Sequence, residues 1–403
     1  MADTPREEGV PRSSCPGDST TGGTRPDVLR VRGLTKIYDD GTLAVDDIDF
    51  SVAAGDFCVL IGPSGCGKST TLHSIIGKVE PTEGEIVLGD TDVTDVPTYR
   101  RDIGLVFQDF QLFPHLSVED NVRYGLERTR ADRATSDDRV EDVLELMQLT
   151  ALRDSSPESL SAGQKQRVAL ARSLVLEPKL LLLDEPLGDL DYKMQKRMER
   201  ELLRIHRELD TTFVYVTHDQ SQAMRLADQI VVMHEGRIEQ SGSVSAVYNR
   251  PATAFVAAFV GDSNIFTGRV TDVSPDAATV DVETPFGEFT VSARTVRSDA
   301  GDLLDQKLPF VVRPQALRLD SNADNTLACS VVDVIRQPSR GTRLVLEARS
   351  EGGPEMEVQV KIPERVDVDG DTVTVGWDAG DGLLLEETSV VPDVDLRKDI
   401  LGE

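Results

Sequence analysis

The chain is 403 residues long and carries 71 acidic against 43 basic side chains, a net charge of −28 at neutral pH. That length predicts two or three domains with ample core. An acidic chain with no dominant basic patch disfavours a nucleic-acid partner. No run of eighteen apolar residues occurs, so no membrane-spanning helix is expected.

The 4 cysteines, Cys15, Cys58, Cys66 and Cys329, show no paired spacing, which fits a reducing compartment. The acid is not confined to one region: residues 262–403 hold 28 acidic and 14 basic side chains, half of the net excess. Charge spread over both regions points to the solvent rather than to a partner, and the expectation is a halophilic cytoplasm, the alternative being an ordinary acidic protein kept soluble by its charge.

In chain order, residues 1–27 are rich in Pro, Gly, Ser and Thr without an apolar core, and read as a disordered tail rather than a signal peptide. Strand patterns follow at 28–34, 57–61, 85–88, 179–183, 212–216 and 229–233, with helical patterns between several of them. This alternation predicts an α/β domain with a mainly parallel sheet over residues 28–261. Between about 108 and 164 the strand signals vanish. Helices are expected at 119–126 and 137–149, the second carrying Val140, Val143, Leu144 and Met147 at helical spacing, so this stretch reads as an inserted helical subdomain. Gly236 in His234-Glu235-Gly236-Arg237 marks a hairpin turn. From residue 262 onward the runs are short and β-rich, at 268–273, 278–282, 289–291, 310–312, 344–348, 357–362 and 372–376. They predict a small all-β domain of barrel type over residues 262–403.

The first chemical signal is Gly62-Pro63-Ser64-Gly65-Cys66-Gly67-Lys68-Ser69-Thr70, directly after the apolar strand 57–61. It is the G-x-x-x-x-G-K-[ST] phosphate loop on a strand–loop–helix frame. Its glycines let backbone N–H groups wrap a phosphate, and the helix that begins near Gly67 adds its positive end. Lys68 is placed to reach the β- and γ-phosphates and Ser69 to hold Mg²⁺, so the ligand is a nucleoside triphosphate with its metal. Cys66 reads as a small residue filling a variable loop position.

The second signal is Leu180-Leu181-Leu182-Leu183-Asp184-Glu185-Pro186. A wholly apolar run is what a buried parallel strand looks like, and it delivers two carboxylates at its carboxyl end, where open α/β sheets bind ligands. Asp184 is expected in the Mg²⁺ shell and Glu185 as general base for the attacking water. The third is Leu160-Ser161-Ala162-Gly163-Gln164, in which Ser161 reads as the N-cap of a helix over 162–176, a further anion-binding helix end.

With these motifs in this order, residues 28–250 resemble the ATP-binding cassette (ABC) ATPases. The resemblance implies that Tyr38 stacks on adenine. Gln108 in Val106-Phe107-Gln108-Asp109 would touch Mg²⁺ and sense a transmembrane partner. Gly188-Asp189-Leu190-Asp191 would be the dimer-contacting loop, with Asp189 at the nucleotide, and His218 in Val216-Thr217-His218-Asp219 the switch histidine at the γ-phosphate. Ala162 stands where the family usually has glycine; it keeps the backbone N–H, so phosphate contact should survive. Gly188 replaces a more usual Ser or Ala, which could loosen the dimer contact.

The resemblance further implies ATP enclosed between the phosphate loop of one subunit and Ser161, Ala162, Gly163 and Gln164 of a second. The chain holds one copy of each motif, so a second ATP-binding subunit, the same chain or a close paralogue, is required. Three features resemble importers in particular. The cassette carries no fused membrane helices, residues 103–118 resemble a permease docking surface, and residues 262–403, with Val312-Arg313-Pro314-Gln315, resemble the OB-like (TOBE-type) regulatory domain of importer ATPases. The implied partners are transmembrane permease subunits and, through them, an extracytoplasmic solute-binding protein, with the chain peripheral on the cytoplasmic face of the membrane. The local wording around Arg101-Asp102-Ile103-Gly104 is closest to the polyamine and iron branch, with sugars next. The alternative, a soluble ABC ATPase working on ribosomes or DNA, would usually show two cassettes or a long coiled-coil insertion, and neither is present. A non-hydrolysing subunit is disfavoured by the presence of Lys68, Asp184, Glu185 and His218.

Overall fold

The computed structural model describes residues 25–385 except 129–132, 189, 210, 275–277, 295, 297–299, 320–321, 338–340, 351–352 and 367–369. Most of the expected tail, Cys15 and Asp189 lie outside the described residues.

The first half opens with two antiparallel strands, β1 (Asp27–Ile37) and β2 (Leu43–Ala53), before β3 (Phe57–Ile61) and α1 (Lys68–Ile76). Strands β4 (Glu83–Leu88), β5 (Thr91–Asp92) and β6 (Ile103–Val106) follow, then helices α2 (Val118–Arg123), α3 (Arg133–Leu146) and α4 (Ala162–Leu174). The chain re-enters the sheet with β7 (Leu180–Asp184), crosses through α5 (Tyr192–Leu209) to β8 (Thr212–Val216), and through α6 (Gln220–Leu226) to the hairpin of β9 (Gln229–His234) and β10 (Arg237–Ser243). Two short helices, α7 (Val244–Asn249) and α8 (Ala254–Phe259), end this half.

The central sheet has the order β10-β9-β3-β8-β7-β6, with β9, β3, β8, β7 and β6 parallel and β10 antiparallel at one edge. Both of its faces are covered, which is why its strands are continuous apolar runs. Cys58, Leu60, Leu180, Leu182, Val214 and Val216 face α1 and the antiparallel sheet β2-β1-β4-β5. Phe57, Val59, Ile61, Leu181, Leu183, Phe213 and Tyr215 face the helices on the other side. Among the latter is α3, whose Val140 and Leu144 are fully buried, as is Met147 just past its end, while its Asp137, Asp138, Glu141, Asp142 and Glu145 are exposed.

Strands β2 and β6 escaped the sequence pattern for different reasons. In β2 the buried Val45, Ile48, Phe50 and Val52 are interleaved with Asp46, Asp47 and Asp49, and the pairing with β1 shifts register between Val45 and Ile48. That breaks the period-2 signal. Strand β6 is four residues long with a glycine in it; a Cβ on Gly104 would lie 2.9 Å from the Leu181 side chain, so the strand packs too closely for anything larger.

The second half contains β11 (Asn264–Ser274), β12 (Thr279–Thr284), β13 (Gly287–Ser292), α9 (Ala300–Leu303), β14 (Lys307–Val312), β15 (Asn325–Gln337), β16 (Gly341–Arg349), β17 (Glu355–Ile362), β18 (Thr372–Trp377) and β19 (Gly382–Leu384). The barrel is real but smaller than the β-rich region. It closes as β11-β12-β13-β19-β14, while β17-β16-β15-β18 form a separate four-stranded sheet. One apolar cluster serves both, with the Phe266 ring 5.0 Å from Phe310 and 5.8 Å from Trp377. Strand β15, the longest, gave no sequence signal. Val332 sits exposed at a register shift against β16, so apolar and polar residues do not alternate there.

Candidate nucleotide site

The parallel register places four loops at one end of the central sheet. Leu60 of β3 and Asp184 of β7 both pair with Val216 of β8, and Val106 of β6 pairs with Leu183. The phosphate loop therefore starts just past β3, Glu185 just past β7, His218 two residues past β8 and Gln108 two residues past β6. Two hydrogen bonds carry the ladder beyond the strands, from Thr217 N to Leu60 O (3.2 Å) and from Glu185 N to Val216 O (3.1 Å).

The loop itself needs glycine at two places. A Cβ on Gly62 would lie 2.2 Å from the Met233 carbonyl oxygen. Gly67, at φ +100°, would put one 2.4 Å from the Ala44 carbonyl oxygen. Within the loop, Lys68 Nζ donates to the carbonyl oxygens of Gly62 (2.8 Å) and Pro63 (2.9 Å). Cys66 is buried and burial pushes its thiol pKa up, so it is an inert packing residue. Ser64 and Gly65 are exposed at the loop tip, and Ser69 and Thr70 lie in the first turn of α1. Tyr38 is 38% exposed; its hydroxyl lies 3.2 Å from Thr70 Oγ1, with Lys36 Nζ 5.3 Å from its ring centre. The ring thus stands beside the loop with much of its surface open to solvent.

Opposite the loop, His218 Nδ1 and Glu185 Oε2 are 3.0 Å apart. Glu185 holds φ +43°, a left-handed conformation rare for a side-chain-bearing residue. It is pinned by its own N–H on Val216 and by the Gly188 N–H on its carbonyl oxygen (3.1 Å). The His218 loop is braced from below: the buried Gln222 Oε1 accepts from Tyr215 (2.8 Å) and Thr217 (3.3 Å), and Thr217 Oγ1 accepts from Asp219 N (3.0 Å). Asp184 is half-buried. Burial raises its pKa, as does the Glu185 charge beside it, against the pull of His73, Lys78 and Lys68. Gln108 reaches Gly188: a Cβ there would sit 3.4 Å from its Nε2, an ordinary contact. Space alone therefore does not require glycine at 188.

Ser161, Ala162, Gly163 and Gln164 form a second, separate feature. Ser161 Oγ accepts from Gln164 N (3.4 Å), and Gln164 Oε1 accepts from Ser161 N (2.8 Å), a full capping box at the start of α4. Ala162 is exposed. Gly163 is buried, and a Cβ on it would lie 3.0 Å from Met194 Sδ. Among the described residues no hydrogen bond joins these four to residues 62–70 of the same chain.

Two residues near the site were missed by the sequence reading. His73 Nε2 is 3.7 Å from Asp184 Oδ2, and Lys78 Nζ lies 5.5 Å from the Phe107 ring centre, next to Gln108. The His73 signal was legible as helix geometry: it lies four residues after Ser69, on the same face of α1. Lys78 follows the helix end and carried no signal. Arg101 is buried beneath α1. It donates to the carbonyl oxygens of Ser74 (2.8 Å), Ile75 (2.6 Å), Thr94 (2.7 Å) and Val96 (2.8 Å). It thereby caps the helix that carries Lys68.

The described residues contain no cluster of three or more His, Cys, Asp or Glu side chains arranged to hold a metal ion. The oxygen donors that the sequence leads one to expect at a metal are the Asp184 carboxylate, the Ser69 hydroxyl and the Gln108 amide. That is a sparse set of hard oxygen donors, and it fits a Mg²⁺ ion shared with substrate phosphates.

Comparison with known proteins agrees with this geometry. The ABC transporter family model matches residues 45–188, and the TOBE domain model matches residues 310–385. The spermidine/putrescine import ATP-binding protein PotA of Rubrobacter xylanophilus is 40% identical over 361 residues, spanning 90% of this chain and 94% of that one. Its counterpart in Thermobifida fusca is 45% identical over 312 residues, 77% of this chain and 79% of that one. Among solved structures, cbiO1 of Clostridium perfringens, part of the ABC transporter complex cbiONQ, matches with TM-score 0.51 and 32% identity over 55% of this chain and 91% of that chain.

Proposed function

The chain belongs to the ABC transporter family as an ATP-hydrolysing import subunit with a C-terminal TOBE domain, and we propose that residues 62–70, 108, 184, 185 and 218 are its hydrolytic centre. The observation that supports this most is the 3.0 Å pairing of Glu185 with His218 at the strand ends that also carry the phosphate loop. The 62–70 backbone and the α1 N-terminus hold the β- and γ-phosphates, and Lys68 exchanges the Gly62 and Pro63 carbonyls for phosphate oxygens. Tyr38 stacks on the adenine. Ser69, Asp184 and Gln108 hold Mg²⁺, which supplies charge neutralisation on the phosphates. Glu185 accepts the proton of the attacking water as general base, and His218 fixes its carboxylate and meets the γ-phosphate.

That no hydrogen bond among the described residues joins Ser161–Gln164 to residues 62–70 of the same chain is in keeping with a head-to-tail pair of subunits, each capped helix end completing the other's site. Asp189 would lie in that contact. In this reading the subunit docks on permease subunits from the cytoplasmic side and drives uptake delivered by a solute-binding protein. The names of its relatives favour a polyamine such as spermidine or putrescine as cargo. The test is Glu185→Gln: ATP should still bind and an ATP-bound dimer should accumulate while phosphate release stops. Wild-type turnover in that variant would remove Glu185 from the base role. Labelled spermidine uptake by the chain with its permease, against iron and sugar controls, tests the cargo.

A further inference from the structure

The two halves of the chain meet in a tightly bonded joint. Arg313, one residue past β14, buries its guanidinium against the end of the first half. Nη1 donates to the carbonyl oxygens of Ala257 (3.0 Å) and Val260 (3.0 Å) and to the Ser263 hydroxyl; Nη2 donates to the Tyr248 carbonyl oxygen (2.6 Å). The guanidinium carbon also lies 4.2 Å from the Tyr248 ring centre. Just past the joint, the four-stranded sheet holds the start of the β half itself, where Lys361 Nζ pairs with Asp262 (2.8 Å) and the Gln359 backbone exchanges two hydrogen bonds with the buried Asn264 side chain (2.9 and 2.8 Å). Residues 257–264 are therefore held at several points.

The same segment touches the helix that follows His218. The Gly261 N–H donates to Gln220 Oε1 at 3.4 Å, and Gln220 is the first residue of α6, two positions after His218. Ala223 and Leu226 of α6, Val256 of α8 and Val260 just past it all belong to the large apolar cluster on the helical side of the central sheet. Gly261 has φ +82°, and a Cβ on it would lie 2.8 Å from the Tyr248 ring, so the turn packs against Tyr248 too closely for any residue but glycine, and Arg313 lies on that same ring.

We propose that Arg313 and Gln220 form a positioning pair that couples the β half to His218. A displacement of the β half shifts the last turn of α8 and Gly261 through Arg313. Gln220 passes that shift to the start of α6 and so to the His218–Glu185 pair. Coupling of this kind needs a packed, discrete set of contacts rather than a flexible linker, and the joint supplies one. The inference rests on the reading of His218 as part of the hydrolytic centre.

The test uses the full chain with Arg313→Gln, Gln220→Ala and the double variant, read by amide hydrogen exchange and by steady-state ATP hydrolysis. Arg313→Gln should raise exchange at residues 254–264 and also at 217–226. Both single variants should change kcat by roughly two- to tenfold with the KM for ATP little altered. The double variant should do no more than the larger single effect, because both act on one path. Gln220→Ala should leave exchange at 254–260 unchanged. If Arg313→Gln loosens 254–264 and leaves 217–226 and kcat as in wild type, or if the two effects add, the coupling is overturned. Should Arg313→Gln fail to fold, Gln220→Ala decides alone: unchanged kcat and unchanged exchange at 217–226 overturn the pair. A wild-type chain without ATPase activity would instead sink the hydrolytic reading, and the exchange pattern would still judge the coupling.

Discussion

His218 Nδ1 meets Glu185 Oε2 at 3.0 Å although 33 residues separate them, because β7 and β8 are adjacent parallel strands whose ends coincide at Asp184 and Val216. The contact orients a carboxylate that the backbone already holds at φ +43°. His218→Ala should therefore lower the kcat for ATP by about 100-fold or more, the usual loss when a positioned acid–base group is removed or misplaced. ATP affinity should change little, since the phosphate loop is untouched. Single-turnover hydrolysis beside equilibrium nucleotide binding checks both.

Arg101 carries a stability prediction. Arg101→Met takes the donor from the carbonyl oxygens of Ile75, Thr94 and Val96, while that of Ser74 keeps the Gly77 N–H, and buried polar groups without partners are costly. The expected loss is about 3 kcal/mol or more. Arg101→Lys should recover only part of it, because an ammonium cannot span the fork of acceptors. Denaturant midpoints of the three proteins give the comparison.

His206 predicts a pH dependence. Its ring lies 5.3 Å from Phe57 and 5.0 Å from Phe213, with Nε2 buried and unpartnered. Burial lowers its pKa below the ordinary value, against the opposing pull of Asp228 and of the Gly55 and Asp56 backbone. The folded state thus favours the neutral ring. Stability should be full above about pH 6.5, the ordinary histidine value, and fall as pH drops through that value towards the lowered folded one. His206→Phe should flatten the slope in this window. A variant with the same slope as wild type would assign it to other groups.

The charge of −28 predicts a salt dependence. Exposed carboxylates in both halves repel one another, and the repulsion is screened over about 10 Å at 0.1 M salt. Thermal unfolding temperature should rise steeply with added KCl from millimolar to molar concentrations. A chain equally stable without salt would rule out the saline adaptation.

Legibility differed by element. The strands that carry the site were readable because burial on both faces leaves runs such as 180–183 wholly apolar, and because the loop geometry at Gly62 and Gly67 tolerates only glycine. Strand β2 was hidden by its three aspartates and β15 by its register shift against β16. The division of the β half into a barrel and a second sheet was also hidden. Alternation reports which face of a strand is buried but says nothing about which strand lies beside it.

What the sequence by itself determined is a set of local motifs: a glycine-rich loop after a strand, a carboxylate pair at a strand end and a capped helix start, each written in contiguous residues whose backbone demands are local, with His218 singled out only through the family resemblance. What only the tertiary structure decided are the long-range partnerships: Glu185 with His218, Arg101 under α1, His73 beside Asp184, and Arg313 gripping the turn that touches Gln220. The physical reason is that local conformational limits are encoded residue by residue. A contact between segments far apart in the chain exists only after the strands have paired and the helices have packed.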